Sequence, residues 1–323
     1  MTRFVVRRLA IIPIALFLAH FFGFAYAHLA RPLRAARNPF LAPLIDPEPL
    51  LPTYFGYLQQ IPESGLGAVP GSGAPLGEVV LQATLASLGL LSIALTLSII
   101  VGWFLGMRAV RTNPPRVARW MTIFSTIGLA TPSFYLGTLL IVAMFAYVIW
   151  RGPGTGMPFP TQGFGWDIHL VLPVVTLMLR PTAQIAVVIS GLLVAELDKQ
   201  YVVTARSLGH PWKNIRERGA LRNIVAPVVL TIAGSARLLM AELIVVEWLF
   251  NWPGVGRLLA STLVPTATSA GAGATIYFLN PPLVAALVTA FAALFLITDL
   301  IASILVRAFD PRVRAPELEP APA

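Results

Sequence analysis

The chain has 323 residues, of which 57% are apolar and only 11% charged; mean hydropathy is +0.78 and formal net charge +9. A soluble chain carries about 25% charged residues, and the apolar excess here is gathered into long blocks, which excludes a soluble core. The absence of cysteine excludes disulfides, zinc–thiolate sites and iron–sulfur clusters, and the clustering of cations at the ends of apolar blocks marks membrane topology rather than nucleic-acid binding.

Taken in chain order, Arg3, Arg7 and Arg8 precede an apolar block from Leu9 to Leu29, long enough to span a bilayer. The basic start and Ala25-Tyr26-Ala27 also fit a cleaved signal peptide, but the block exceeds a usual signal core and favours an uncleaved first helix. Segment 31–77 is hydrophilic and rich in Pro and Gly, with a short helix predicted over Tyr54–Ile61 and irregular loop beyond it. It falls outside the cell if the N-terminus is inside, which puts Arg31, Arg34 and Arg37 against the charge rule.

A second span is predicted over Glu78–Gly106, with Gly89, Ser92 and Thr96 as a small-residue stripe for helix packing. Arg108, Arg111, Arg116 and Arg119 mark an inside turn, broken at Asn113-Pro114-Pro115. The apolar run Trp120–Trp150 is too long for one straight crossing, and Thr131-Pro132 predicts a kink or break within it. An outer loop, Arg151–His169, leads to a fourth span, Leu170–Ala195, which contains Arg180. A charge inside a span must face protein or water, so Arg180 is a pathway residue or half of a buried pair.

The longest polar interruption of the C-terminal half is 196–227, which holds Lys199, Arg206, Lys213, Arg216, Arg218 and Arg222. Gly209 follows a short helical run, Asp198–Leu208, where a left-handed C-terminal cap suits glycine. Pro211 opens a second run, where its missing N–H costs nothing. Val202, Ala205 and Leu208 share a face of the first run, and Trp212, Ile215 and Gly219 a face of the second. Two short amphipathic helices at a set angle would suit docking into a groove of a soluble partner; a basic hairpin lying on anionic lipid is the plainer alternative. A fifth span is predicted over Val228–Leu249, carrying Arg237, Glu242 and Glu247, with Arg237 placed to pair with Glu242 or to offset charge near Arg180. The last span, Pro282–Leu305, contains Asp299, and a Pro-rich tail, 315–323, is expected to be disordered. Inside segments hold 16 of the 23 Lys and Arg residues and outside segments five, which predicts six spans with both termini inside.

Four stretches carry a family resemblance. Tyr-Val-Val-Thr-Ala-Arg-Ser-Leu-Gly (201–209) with Ala-Leu-Arg-Asn-Ile-Val-Ala-Pro (220–227) resembles the EAA loop of ABC importer permeases, closest to the B-type permeases of the dipeptide/oligopeptide/nickel group. Thr-Pro-Ser-Phe-Tyr-Leu-Gly (131–137), Glu-Trp-Leu-Phe-Asn-Trp-Pro-Gly-Val-Gly-Arg-Leu-Leu (247–259) and Arg-Ala-Phe-Asp-Pro-Arg-Val-Arg (307–314) are similar to the same group. The resemblance implies an all-α membrane domain over 1–314, with external segments 31–77 and 250–281 and a cytoplasmic coupling loop at 196–227. It implies a multi-pass protein of the inner membrane, partnered by a second homologous permease, two cytoplasmic ATPases and an extracytoplasmic binding protein, with peptides as the leading cargo. Tyr201, Ala205, Arg206, Gly209, Trp212 and Ile215 are then the candidate ATPase-coupling residues, and Arg180, Arg237, Glu242, Glu247 and Asp299 the candidates for pathway or buried-charge roles. The chain departs from the family at Ser261–Asn280, where an Arg-Asp-aromatic-Pro segment is usual, so its outer surface differs there.

Neither lysine follows a Gly-rich loop, so no G-x-x-x-x-G-K-[ST] phosphate cradle is present and ATP with its Mg is expected on partner subunits. The four histidines lack H-x-x-x-H spacing and there is no G-x-S-x-G elbow, so a membrane enzyme finds no support. A gradient-driven carrier or channel is the alternative class; paired broken helices in two halves would mark it.

Overall fold

The computed structural model describes residues 2–35, 48–69, 73–112, 114–152, 154–264 and 278–309. Six helices among them are long and apolar enough to cross a membrane: Arg8–Leu33, Leu76–Arg108, Ser133–Arg151, Ile168–Leu197, Trp212–Leu249 and Pro281–Phe309. A helix pairs its backbone polar groups within the segment, as hydrocarbon demands, apart from the bonds lost at the internal prolines Pro13, Pro32, Pro181 and Pro227. The chain folds into two compact units.

The first unit comprises Met1–Leu90, Thr161–His169 and Leu243–Ile297. Helix α1, Thr2–Ala35, runs six residues past the predicted end at Leu29, so Arg31 belongs to a helix and not to the loop predicted there. Helix α2, Leu50–Ser64, is longer than the predicted Tyr54–Ile61. It starts at Pro49, held extended, with the Thr53 hydroxyl bonded to Pro49 O at 2.9 Å, and it ends at Gly65, whose φ is +65°. Tyr54 is buried against Phe21 and Phe24 of α1, and its hydroxyl meets His20 Nδ1 at 3.1 Å. This unit also holds the first half of helix α3, Leu76–Arg108.

The second unit comprises Leu91–Pro160, Leu170–Glu242 and Thr298–Ala323. After α3 a two-stranded hairpin, β1 Val110–Thr112 and β2 Pro115–Val117, makes the turn that the arginines predict. Helix α4, Arg119–Ala130, and helix α5, Ser133–Arg151, are separated by Thr131 and Pro132 in extended conformation. The predicted break is thus a full interruption, at a residue without an N–H to continue the ladder. Helix α6, Val171–Leu197, forms the centre of the unit: Ile185, Ile189, Leu193 and Leu197 are buried together with Val110, Val202, Ile215, Ile224 and Val228. Against it α3 presents not the predicted stripe but Ser98, Gly102 and Gly106. A Cβ at Gly102 would lie 2.9 Å from Ile185 Cβ, and one at Gly106 2.8 Å from Ile189 Cβ. Ser92 and Thr96 are exposed, and in the first unit Gly89 is covered by the Trp166 ring.

Helix α7, Gln200–Ser207, follows. Beyond it Trp212–Asn214 is α-helical, Ile215–Ala220 π-helical, and helix α8 runs from Leu221 to Leu249, so one uninterrupted rod spans Trp212–Leu249. The second short helix predicted from Pro211 is therefore the beginning of the fifth span rather than a separate element. Gly219 does not stop it, because neither a positive φ nor a missing N–H interrupts the chain there. Helix α9, Val255–Leu263, and helix α10, Pro281–Phe309, complete the fold. Most of the divergent segment, residues 265–277, and the tail 315–323 lie outside the described residues.

Candidate functional site

The polar interruption at 196–227 becomes an elbow built on the second unit. Helix α6 closes at Asp198; Lys199 is extended, with φ −75° and ψ 152°, and turns the chain into α7. Helix α7 closes in turn with the two bonds of a Schellman cap: Gly209 N–H donates to Arg206 O at 3.0 Å and His210 N–H to Ala205 O at 3.1 Å. Gly209 has φ +82°, as its position after the run predicts. Pro211, extended, then opens the long rod.

Burial decides which side chains this elbow offers to a partner. Val202 and Ile215 are buried in the core around α6, with Ala205 and Trp212 packed on its edge. Trp212 and Ile215, expected to meet a partner groove, instead bind the elbow to its own membrane helices. The outward surface is made by Val203 and Leu208, 59% and 72% exposed, with Arg206, His210, Lys213 and Asn214. Arg206 reaches back so that its guanidinium lies 4.2 Å from the centre of the Trp212 ring, a cation–π contact that joins the two sides of the turn. Tyr201 is partly exposed. Its phenol is held above the ordinary tyrosine pKa by burial and by the Glu196 carboxylate, to which it donates at 3.2 Å.

The charges in the spans resolve into three groups. Arg180 Nη1 donates to Glu242 Oε1 at 3.0 Å, and the Ser133 hydroxyl, at the start of α5 beyond the break, donates to Glu242 Oε2. Arg180 thus sits in a pair. Arg237 is bonded to Asp299 at 2.6 Å rather than to Glu242: five residues along a helix put Arg237 and Glu242 on different faces. Glu247, fully buried, caps a helix. Its Oε2 accepts from Gly256 N–H at 2.8 Å and Arg257 N–H at 3.2 Å in the first turn of α9, while Ser87 Oγ donates to its Oε1 at 2.5 Å and accepts from Val255 N–H at 2.9 Å. The partners Ser87, Ser133 and Asn223 were not legible as site residues, since no local spacing links them to the carboxylates they hold; Glu196 carries an i,i+3 spacing to Lys199 that could have pointed to it.

The Arg237–Asp299 pair gives a direct test. Arg237→Ala leaves a carboxylate inside a span and is expected to cost about 2 kcal/mol, lowering the thermal midpoint in detergent. The exchanged double variant, Arg237→Asp with Asp299→Arg, recovers most of that loss. A double variant no more stable than the single one would show that the pair is not a stabilising contact.

Comparison with known proteins identifies the family of the chain. The family of binding-protein-dependent transport system inner membrane components matches residues 94–315, well over half of the chain. A probable peptide ABC transporter permease protein of Sinorhizobium fredii is 26% identical over 83% of this chain and 81% of its own length. The dipeptide transport system permease protein of Lactococcus lactis subsp. cremoris is 23% identical over 97% of this chain and 100% of its own. The glutathione transport system permease protein of Escherichia coli strain K12 is 26% identical over 97% and 99%. The matched region takes in the elbow, the broken α4–α5 run and the Glu247 cap, and the chain belongs to the binding-protein-dependent transport system inner membrane components, as a multi-pass permease subunit of an ABC importer.

Proposed function

We propose that this permease carries peptides inward, paired with a second homologous permease and driven by two cytoplasmic ATPases that bind the ATP and Mg. An extracytoplasmic binding protein delivers the cargo, and both termini lie in the cytoplasm. The observation that carries the coupling role is the elbow itself. It exposes Val203, Arg206 and Leu208 to solvent, while Val202 and Ile215 root it in the core formed by α6 and the start of the next span. Exposed apolar side chains interspersed with cations, on an elbow rooted in the core, suit docking into a protein groove. The names of the relatives support peptides as cargo. The excess of cations in the segments assigned to the inside supports the orientation.

Labelling tests the topology. Single cysteines replacing Asn113, Asn214 and Val313 are expected to react only from the cytoplasmic side, and those replacing Ser72 and Ser269 only from outside. Of these, Asn214 alone is among the described residues, where it is exposed. External labelling at Asn214 would end the coupling reading. An ATPase that co-purifies with the chain and hydrolyses ATP faster with loaded binding protein separates this reading from a gradient-driven carrier, which retains none.

A further inference from the structure

Glu196 lies at the last turn of α6, and its side chain is 8% exposed. A carboxylate placed so deep is unfavourable unless donors surround it, and three do. Oε1 accepts from the Asn223 side-chain amide at 2.7 Å and from the Tyr201 hydroxyl at 3.2 Å; Oε2 meets the Lys199 ammonium at 2.6 Å. These donors stand on separate pieces of the elbow: Lys199 at the extended joint, Tyr201 on α7, and Asn223 in the first turn of α8. Packing alone does not call for this carboxylate, since Leu193 and Leu197 of the same helix already fill the core beneath.

The covalent path from α7 to α6 is a two-residue joint, Asp198-Lys199, that is not helical. The path from α7 to α8 is the Gly209 turn. Val202 is the one side chain of α7 buried in the core, and two turns can swing about a single anchor, so a force on α7 could bend them without moving either span. We propose that Glu196 is a positioning residue: a buried carboxylate that cross-braces the inner ends of α6 and α8 to α7, so that the elbow and the two spans move as one lever. This rests on the coupling role proposed above. Glu196 need not touch an ATPase, because the outward surface is made by other residues.

The test uses the whole complex, permease pair, ATPases and binding protein, in liposomes, with radiolabelled alanyl-alanine and tri-alanine as probes. Glu196→Ala is expected to assemble normally and to keep basal ATP hydrolysis within about twofold. Peptide uptake and the stimulation of hydrolysis by loaded binding protein should fall about tenfold, the scale of a typical coupling between sites. Glu196→Gln keeps an acceptor for Asn223 and Tyr201 and gives up only the charge on Lys199, so it should restore much of the uptake. Asn223→Leu, which removes the tie to α8 alone, should fall between the two. If uptake per assembled complex is unchanged in Glu196→Ala, the brace is wrong. It is equally wrong if assembly, basal hydrolysis and uptake fall in proportion and Glu196→Gln rescues none of them, for that is a folding defect. A wild-type complex that shows no stimulation by its binding protein overturns the coupling role, and the brace with it, before any variant is compared.

Discussion

Gly254→Val is expected to prevent stable folding of the first unit. The backbone at Gly254 is ordinary, with φ −91° and ψ 175°, so the obstacle is space. A Cβ there would fall on the Glu247 carboxylate. That carboxylate has no room to retreat, because Glu247 is fully buried and Gly256 closes its other side, where a Cβ would lie 2.7 Å from Ile244 Cα. Moving it orphans the Gly256 and Arg257 N–H groups and the Ser87 hydroxyl together. Each unsatisfied buried donor costs about 1–3 kcal/mol. Three of them approach the whole stability of an ordinary domain, about 5–15 kcal/mol. Trp252, buried one turn away with its indole N–H on Ala86 O at 3.1 Å and its ring against Phe164 and Trp166, would lose its seat as well. The expected result is a several-fold drop in membrane-inserted protein and a collapsed melting transition in detergent. Glu247→Gln, which keeps the shape and one acceptor, should lose far less. Gly56→Ala, where a new Cβ meets nothing within 4 Å, serves as a control and should be neutral or slightly stabilising. A Gly254→Val protein that melts like wild type would show that the carboxylate does not hold α9.

What could be read from the sequence, and what could not, follows the range of the forces involved. The six spans were legible because lipid demands about 20 apolar residues in a row. The α4–α5 break was legible because Pro132 lacks an N–H, and the Gly209 turn because a glycine after a short helical run suits a left-handed cap. All of these are local. The packing face of α3 was not local: Gly89, Ser92 and Thr96 are as small as Ser98, Gly102 and Gly106, and in lipid no polarity difference says which stripe meets a helix. The Arg237–Asp299 pair joins residues 62 apart, and the cap on α9 depends on a turn that brings residue 256 back to 247. The location of the elbow was plain from its charge, yet its outward face was not. Trp212 and Ile215 read as an amphipathic stripe on a free helix, and only the continuation of that helix into the span shows that the stripe faces inward.

That continuation changes the mechanism of the largest functional effect expected, the loss of transport in Gly209→Val. A Cβ at Gly209 would touch nothing, so no neighbour is pushed aside. The cost is in the backbone: φ +82° is disfavoured for a β-branched residue by roughly 1 kcal/mol or more. The turn will relax to escape it, and it can relax only on one side. Trp212 begins the long rod, which Ile215 anchors in the core, so that side holds. Helix α7 is eight residues long and pinned near its start, by Val202 in the core and Tyr201 on Glu196, so its C-terminal turn is the part that yields. Its Schellman bonds to Ala205 and Arg206 open, and the Arg206 guanidinium leaves the Trp212 ring. The exposed surface of Val203, Arg206 and Leu208, proposed to dock a partner, is then displaced while the spans remain packed. Expression and insertion should stay near wild type, peptide uptake should fall by at least about tenfold, and ATP hydrolysis should cease to respond to loaded binding protein. Arg206→Ala, which loses the cation–π contact but not the turn, should show a milder form of the same defect. If the segment instead serves only to lie on anionic lipid, the order reverses: Gly209→Val is tolerated, and joint neutralisation of Arg216, Arg218 and Arg222 is the harmful change. Binding-protein-stimulated hydrolysis measured for both sets in the same liposomes decides between them, and full stimulation in Gly209→Val would sink the docking role of the elbow.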